Sequence, residues 1–218
     1  MNRKKLRTVA IALAVSFAFG AVAASAASAG TFRAESYPAR ITGEQTTQVV
    51  FTGVVGTWKC GGLGMQGELK GESTTLNLTP TYSECSWAGI AATINMEGCT
   101  YEYVAGNTVE EKETKVQATM NVRCPGGKEA KLTLTNGCTI RIPEQTGLGS
   151  VTAETTATSP SVVDLQLNIT GETYRVENGN LCPNTPANGT YTNGTLSGVE
   201  RLIAENPETS KQFGFSVR

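Results

Sequence analysis

The sequence contains no histidine and a single aspartate, Asp164, among its 218 residues. Without histidine there is no Ser-His-Asp or Cys-His catalysis and no His-ligated zinc, and no side chain titrates near neutral pH at its ordinary pKa. One aspartate leaves neither an aspartate-rich calcium loop nor an aspartate dyad. Aromatic residues amount to only 6% of the chain. We therefore expect no metal site and no cofactor.

Residues 1–29 have the layout of a secretory signal peptide. Four basic residues come first, an apolar run follows over residues 9–22, and two small-residue cleavage sites end at Ala26 and Ala29. The apolar run is too short to span a membrane comfortably. We expect cleavage after one of these alanines in a bacterial cell, which leaves a mature chain (residues 30–218) that is secreted or periplasmic.

The mature chain is acidic. Removing residues 1–29 leaves 14 basic and 19 acidic residues, a net charge of −5. This balance argues against a nucleic-acid partner, which would need a basic patch to neutralise phosphates. No second apolar run is long enough to span a bilayer, so membrane insertion is not expected. The partner stays unknown, with a glycan or a protein as the candidates.

The cysteine content predicts a disulfide framework. An even number of cysteines in an oxidising compartment indicates disulfide bonds, and no spacing is C-x-x-C, so a redox or zinc-ribbon motif has little support. All six lie in the mature part: Cys60, Cys85, Cys99, Cys124, Cys138 and Cys182. Segments 85–101 and 124–140 align without a gap, as an internal repeat or as two similar hairpins would.

Nearly every other segment favours β-strand. Lys115–Arg123 alternates apolar and polar residues, as a half-buried antiparallel strand does. Residues 144–161 are predicted as a loop, 199–205 as one or two helical turns, and 170–172 and 193–194 as turns between strands. The prediction is an all-β protein of about 10–12 short strands, in an antiparallel sandwich or a barrel-like arrangement.

We expect a single domain over residues 30–218. A chain of this length can bury roughly 70% of its extended surface in one core. The polar segment 105–114 is either a long hairpin loop or the junction between two lobes. Its charged run, residues 110–113, favours a solvated loop.

Hairpin register narrows the disulfide pairing. A two-residue turn at Glu97-Gly98 pairs Met96 with Cys99, and a three-residue loop, 135–137, pairs Leu134 with Cys138. The register places Cys99 beside its turn and Cys85 toward the other end of that strand. Because bonded cysteines need Cα atoms within roughly 7 Å, a local bridge between these two is not expected. Sequential pairing fits better: Cys60–Cys85, Cys99–Cys124 and Cys138–Cys182.

Five segments resemble a known group of proteins. They are FRAESYP (32–38), TPTYSEC (79–85), MEGCTY (96–101), CTIRIP (138–143) and NGTY (188–191). Together they resemble exported, six-cysteine bacterial proteins that are described only as hypothetical, and the resemblance covers most of residues 31–198. It implies a secreted β protein and supplies no activity and no site residue.

Two tryptophans adjoin two of the cysteines. Trp58 precedes Cys60 by two residues, and Trp87 follows Cys85 by two. The structural interpretation is that both indoles pack around one disulfide. The functional alternative is an aromatic platform, formed with Tyr82, for a glycan or a peptide.

Enzymatic interpretations find little support. A glycosidase needs two carboxylates facing each other across a cleft, and Glu68, Glu84 and Glu102 are candidates, although no motif selects a pair. Exposed strand and loop positions are the simpler interpretation for each. S-x-x-K and G-x-S-x-G are absent, and the glycines at 61–64 precede a strand rather than a helix, which argues against a phosphate site.

The sequence therefore favours a secreted, disulfide-stabilised β protein with a non-enzymatic binding or surface-associated role. One alternative is an exported hydrolase that uses glutamate carboxylates in a cleft. Another is an inhibitor of a secreted enzyme that presents a disulfide-fixed loop such as 144–161.

Overall fold

The structure, a computed structural model, describes residues 29–109 and 114–218. The predicted signal peptide, except Ala29, and the charged run at 110–113 lie outside the described residues. The strands are β1 Phe32–Ala34, β2 Ala39–Gly53, β3 Gly56–Leu69, β4 Thr75–Trp87, β5 Ile90–Asn95, β6 Thr100–Thr108, β7 Lys115–Arg123, β8 Ala130–Leu134, β9 Thr139–Ile142, β10 Gln145–Thr156, β11 Val162–Glu177, β12 Gly189–Glu205, β13 Gln212–Phe213 and β14 Phe215–Val217. Single turns of 3-10 helix occupy Pro125–Gly127 and Gly179–Leu181.

The all-β, antiparallel, barrel-like prediction is confirmed, with more and longer strands than expected. The described part holds 14 strands, and the longest, β12, has 17 residues. Residues 170–172 and 193–194, predicted as turns, lie inside β11 and β12. The register between these strands shifts on either side of Glu172. A β-bulge therefore absorbs the turn-forming residues without ending either strand.

Eight strands close into a ring. Its order is β12, β2, β3, β4, β6, β7, β10, β11 and back to β12, with every neighbour antiparallel. Ring closure pairs the backbone of these strands on both sides and removes open edges. Side chains from all walls meet inside in one buried cluster, so the interior is a packed core.

The three strands β5, β8 and β9 form a second wall. On the same side, β4 pairs with β6 through its N-terminal part and with β5 through Cys85–Trp87. In the same way, β11 pairs with β10 through its N-terminal part and with β9 through Arg175–Glu177. β8 joins β5 to β9. The pairing thus closes two rings, stacked end to end, that share the long strands β2, β3, β4, β11 and β12.

The two walls diverge from each other along β4 and β11, and we call this boundary the seam. On β4 the seam spans residues 79–84, between the last pairing with β6 and the first with β5. On β11 it spans residues 169–174, between the pairings with β10 and β9. Both stretches lack a strand partner on that side. Residues that point inward from them therefore sit where the two ring interiors meet.

A two-stranded sheet of β1 and β14 covers one end of the first ring. The rings of Phe32 and Phe215 are both fully buried and stack at 6.4 Å between centroids. Thr155 fastens β14 to β10, since its Oγ1 accepts from the Val217 amide at 2.8 Å. This end of the molecule is therefore closed by aromatic packing.

Two local predictions are wrong. Residues 145–156 form β10, which pairs with both β7 and β11, rather than a loop. Residues 199–205 belong to β12 and pair with β2 and β11 rather than forming helical turns. In both cases the local composition was permissive, and pairing with strands distant in sequence decided the conformation.

The two predicted hairpins have opposite outcomes. The second is confirmed: Leu132 pairs with Ile140 and the three-residue loop ends in Gly137 at φ +96°. The first is wrong as a hairpin, although the turn exists, with the Cys99 amide donating to the Met96 carbonyl at 2.7 Å. β5 and β6 leave this turn along different walls and do not pair with each other.

All three predicted disulfides are present. Cys60 and Cys85 are directly opposed on β3 and β4, with Cα atoms 3.8 Å apart. Cys99–Cys124 joins the start of β6 to the residue after β7, and Cys138–Cys182 joins the start of β9 to the 3-10 turn at Gly179–Leu181. Each bridge therefore ties neighbouring elements of a wall.

Residues 105–108 and 115–118 belong to the paired strands β6 and β7, so the segment predicted as a loop or a lobe junction connects adjacent strands of one wall. Within the described ranges, no helix is long and apolar enough to cross a membrane.

Candidate functional site

The three residues of the predicted aromatic platform are not on the surface as a group. Trp58 and Trp87 are cross-strand neighbours on β3 and β4, beside the Cys60–Cys85 bridge, and are 3% and 1% exposed. Tyr82 is half-buried, with its ring edge-on to Trp58 at 6.1 Å. The two indoles thus pack inside, and these side chains offer no exposed platform to a glycan or a peptide.

The three glutamates singled out from the sequence lie on the outer surface. Glu68 and Glu84 are exposed. Glu102 accepts hydrogen bonds from Asn121 at 2.7 Å and from Arg123 at 2.7 Å. These hydrogen bonds lower the pKa of Glu102 and hold it as a surface ion pair. The three do not form a pair facing a cleft.

Two other glutamates, missed by the sequence interpretation, point into the core. Glu200 on β12 is 0% exposed and Glu172 on β11 is 3% exposed. Glu200 shares its inward face with Leu202 and Ala204. Glu172 turns inward after the bulge, together with Tyr174. Buried carboxyls without a counter-charge are rare, because removing a charge from water is costly.

Glu200 is held by a tyrosine from the opposite wall. The Tyr103 hydroxyl on β6 donates to Glu200 Oε2 at 2.8 Å, while Oε1 has no hydrogen-bond partner among the described residues. Burial raises the pKa of Glu200 to about 7, and the tyrosine hydrogen bond opposes this in part. The carboxyl is therefore held largely neutral in mildly acidic solution.

Glu172 lies on the seam stretch of β11 and, unlike Glu200, has no tyrosine hydrogen bond among the described residues. Its Oε2 is buried without a described hydrogen-bond partner. Burial raises the pKa of Glu172 to about 8. At neutral pH this carboxyl is protonated and can donate a hydrogen bond as well as accept one.

Two tyrosine hydroxyls meet at the seam beside these carboxyls. Tyr82 on β4 and Tyr101 on β6 share a hydrogen bond at 2.6 Å between their hydroxyl oxygens. Burial is the main cause that raises the pKa of both, and the charge of Glu200 adds to each. Glu172 acts on Tyr101 as well. The two carboxyls and the two hydroxyls thus form one electrostatically linked interior cluster.

A buried indole N–H lies next to this cluster. The Nε1 of Trp58 has no hydrogen-bond partner in the described part of the chain. The Trp58 ring stacks on Phe51 at 5.4 Å, and Phe51 in turn meets the edge of Tyr174 at 5.4 Å. Aromatic packing therefore surrounds the Trp58 ring, while its Nε1 stays without a hydrogen bond within the described chain.

A side chain replaces the missing strand partner at the seam. The Gln145 amide donates to the Thr173 carbonyl at 3.0 Å and accepts from the Thr173 amide at 2.8 Å. It thereby completes the ladder of β11 between β10 and β9. The backbone groups of Thr173 are satisfied in this way, without a strand beside them.

A narrow recess opens at the seam between the two walls. We call it the seam recess; it is lined by Trp58, Tyr82, Ile94, Met96, Tyr101, Val122, Ala130, Lys131, Leu132 and Ile142. It has about 320 Å³ of space between atoms when its open mouth is included, but a water-sized sphere fits in only about 10 Å³ of it. That is room for about one water molecule.

The cluster is not arranged for hydrolysis. Both carboxyls are enclosed by core side chains, and neither of them lines the seam recess. Among the described residues there is no group of three or more acidic or cysteine side chains that could hold a metal ion. The arrangement can exchange protons and hydrogen bonds, and the recess as it stands has room for about one water molecule.

The chain matches no protein-family model, no curated protein and no solved structure.

Inward-facing glutamates could have been found from strand periodicity. Glu200 lies at alternate positions with Leu202 and Ala204, and Glu172 with Tyr174 and Val176, so each would face the same side of a strand as its apolar neighbours. The interpretation of 170–172 as a turn and of 199–205 as helix removed this signal. Both segments had to be recognised as continuous strands first.

Proposed function

We propose that this is an exported, non-enzymatic binding protein of a bacterial cell envelope or its surroundings. The observation that carries the proposal is the enclosure of Glu172 and Glu200. They are the two carboxyls gathered in the core of the described chain, and neither can reach a substrate. A stable, closed β framework then contributes shape and surface rather than a reactive group.

Export is supported by the disulfides together with the leader-like segment 1–29. All six cysteines are bonded and none is left as a free thiol. Disulfides of this kind persist in oxidising compartments outside the cytoplasm. Mass spectrometry of the protein exported from a bacterial host should find a chain that begins after Ala26 or Ala29, with three disulfides.

The hydrolase alternative named Glu68, Glu84 and Glu102, which lie on the outer surface, and the two inward glutamates lack a route for substrate. The inhibitor alternative rested on residues 144–161, and most of them form β10, which pairs on both sides. A strand held in this way does not protrude as a stiff inhibitory loop. Binding through the outer surface or the seam recess is the role that remains compatible with the packing.

The test is a paired binding and hydrolysis assay on the oxidised mature chain. Immobilised peptidoglycan, chitin and purified envelope proteins are incubated with wild type and with Glu172→Gln and Glu200→Gln. We expect saturable retention on one of these materials, no release of sugar or peptide, and no change in retention in either variant. Product release by the wild type that disappears in a folded variant would overturn the proposal in favour of a hydrolase.

A further inference from the structure

We propose that the seam recess binds a small, uncharged ligand with a narrow apolar body and one hydrogen-bond acceptor, as in an aryl ketone. The inference rests on the proposed function, since it assigns a site and a ligand class to a protein that binds rather than reacts. It is argued from the apolar lining of the recess, from an unpartnered buried donor on one of its lining residues, and from the ability of the side chains at its rim to rotate.

The lining of the recess is largely apolar. Ile94, Met96 and Ile142 are half-buried at the seam and pack against the core from its edge. Elsewhere in the described chain, exposed large hydrophobic side chains are limited to Tyr37 and Leu181. Lys131 also borders the recess, but it alternates with the inward-facing Ala130 and Leu132, so its side chain points outward. An apolar ligand body matches this lining.

Three of the residues that line the recess carry hydrogen-bond donors: Trp58, Tyr82 and Tyr101. Trp58 is 97% buried and its Nε1 has no described partner. The hydroxyls of Tyr82 and Tyr101 share one hydrogen bond, so one of their two hydrogens is not used by that bond. A carbonyl oxygen inserted here would accept from the indole, from a hydroxyl, or from both. The ligand therefore needs an acceptor at its leading end.

The electrostatic surroundings favour an uncharged ligand. Glu172 and Glu200 both act electrostatically on Tyr101, which lines the recess. No inward-facing basic side chain lines the recess, so an anion would find no counter-charge there. A cation would meet the indole N–H and the apolar rim. A neutral acceptor satisfies the donors without bringing a charge into the core.

The rim can open without breaking strand pairs. Met96 lies beside the Glu97-Gly98 turn, where β5 and β6 part along different walls. Methionine is unbranched and adapts its shape to its neighbours. Rotation of Met96 and Ile94 would widen the water-sized space while both strands keep their hydrogen bonds. The proposed ligand would therefore bind to the recess after this opening, since the recess as it stands has room for about one water molecule.

The test follows the indole N–H of Trp58 by two-dimensional ¹H–¹⁵N NMR. The chain has two tryptophans, so two indole signals are expected, and Trp87→Phe assigns them. Acetophenone is the probe, and ethylbenzene is its match in shape without the acceptor. We expect a saturable downfield shift of the Trp58 signal with acetophenone, and binding of ethylbenzene that is about fivefold to tenfold weaker.

A matched pair of variants locates the site. Ile94 and Ile90 are both half-buried on β5, but only Ile94 lines the seam recess. Ile94→Phe should fill the mouth and abolish the acetophenone shift, whereas Ile90→Phe should leave it unchanged. Circular dichroism and the dispersed amide spectrum confirm that each variant is folded.

Three results would overturn the inference: no shift of Trp58 at the solubility limit of acetophenone, equal binding of the two probes, or an unchanged shift in Ile94→Phe. None of these would touch the proposed function, which the retention and hydrolysis assays decide. Conversely, product release in those assays would refute the proposed function whether or not the recess binds a ketone.

Discussion

The Tyr103 hydroxyl and the Glu200 carboxyl join opposite walls of the first ring. β6 and β12 are four places apart in a ring of eight, and the hydrogen bond between the two side chains is 2.8 Å long. Both residues are fully buried. One hydrogen bond therefore spans the core and satisfies half of a carboxyl that has no counter-charge.

Tyr103→Phe should destabilise the fold. The substitution keeps the ring but leaves both oxygens of Glu200 without a protein partner, which costs about 1–3 kcal/mol. Because the tyrosine hydrogen bond lowers the pKa of Glu200, that pKa should also rise further. Urea denaturation measures the loss of stability. Tyr191→Phe is the control, because its hydroxyl donates to Ala187 at an exposed site and its loss should change stability by at most about 0.5 kcal/mol.

The stability of the protein should fall as the pH rises from mildly acidic to weakly alkaline. Burial raises the pKa of Glu200 to about 7 and of Glu172 to about 8, from 4.5 in the unfolded chain. The folded state thus keeps protons that the unfolded state has released. The stability linked to these protons is complete below about pH 4.5 and is lost as the pH rises through 7 and 8.

The slope should approach about 1.4 kcal/mol per pH unit for each carboxyl between pH 5 and 7. Urea midpoints measured from pH 5 to 9 test this, and Glu172→Gln with Glu200→Gln should flatten the curve. Glu102→Gln is the control, because Glu102 is an outer-surface residue whose pKa is lowered. This substitution should not change how stability depends on pH between pH 5 and 9. A wild-type curve that rises toward pH 8 would contradict ionisation of the core carboxyls.

Gly137→Ala should destabilise the hairpin between β8 and β9. Gly137 has φ +96°, and an added Cβ would also lie 3.3 Å from Leu181 Cδ1. A side chain in that backbone conformation costs about 1–2 kcal/mol. Gly71→Ala is the matched control, since a Cβ there would meet nothing within 4 Å. In thermal unfolding, Gly137→Ala should therefore melt at a lower temperature than Gly71→Ala. Equal melting temperatures would show that the loop tolerates the alanine.

Removing Cys60–Cys85 or Cys99–Cys124 should cost the same stability. Each bridge joins residues 25 apart in sequence, so each restricts the unfolded chain to a similar extent, by about 3–4 kcal/mol. Double alanine variants of each pair, compared by urea denaturation under non-reducing conditions, measure this. A difference of several kcal/mol between them would mean that native packing rather than unfolded-chain entropy dominates.

Local features were predictable where a short stretch of sequence contains the whole determinant. The loop before Cys138 has its glycine at the required position, and the apolar residues on both sides agree on one register. The turn after Met96 was equally visible, yet its two strands diverge. β5 pairs with its sequence neighbour β4 on one side and with the distant β8 on the other, and no local pattern encodes the choice of β8 over β6.

The candidate site was hidden for the same reason. Glu172 and Glu200 become core residues only when β11 and β12 run through their turn-like and helix-like segments as strands. Trp58 and Tyr82 were identified, but their depth could not be judged without the walls around them. Burial, and with it the raised pKa of a carboxyl, is a property of the closed rings.

The sequence by itself determined the β class, the three disulfide pairs and the exclusion of histidine chemistry, because composition, strand alternation and the reach of a disulfide act over short distances. Tertiary structure alone decided that five long strands serve two rings, that the walls part at a seam, and that Glu172, Glu200 and the Trp58 indole N–H are buried with polar atoms left unpaired within the described chain. The physical reason is that strand partners are selected by ring closure over the whole chain. The polar groups at the seam are therefore placed by topology, whatever their local preference.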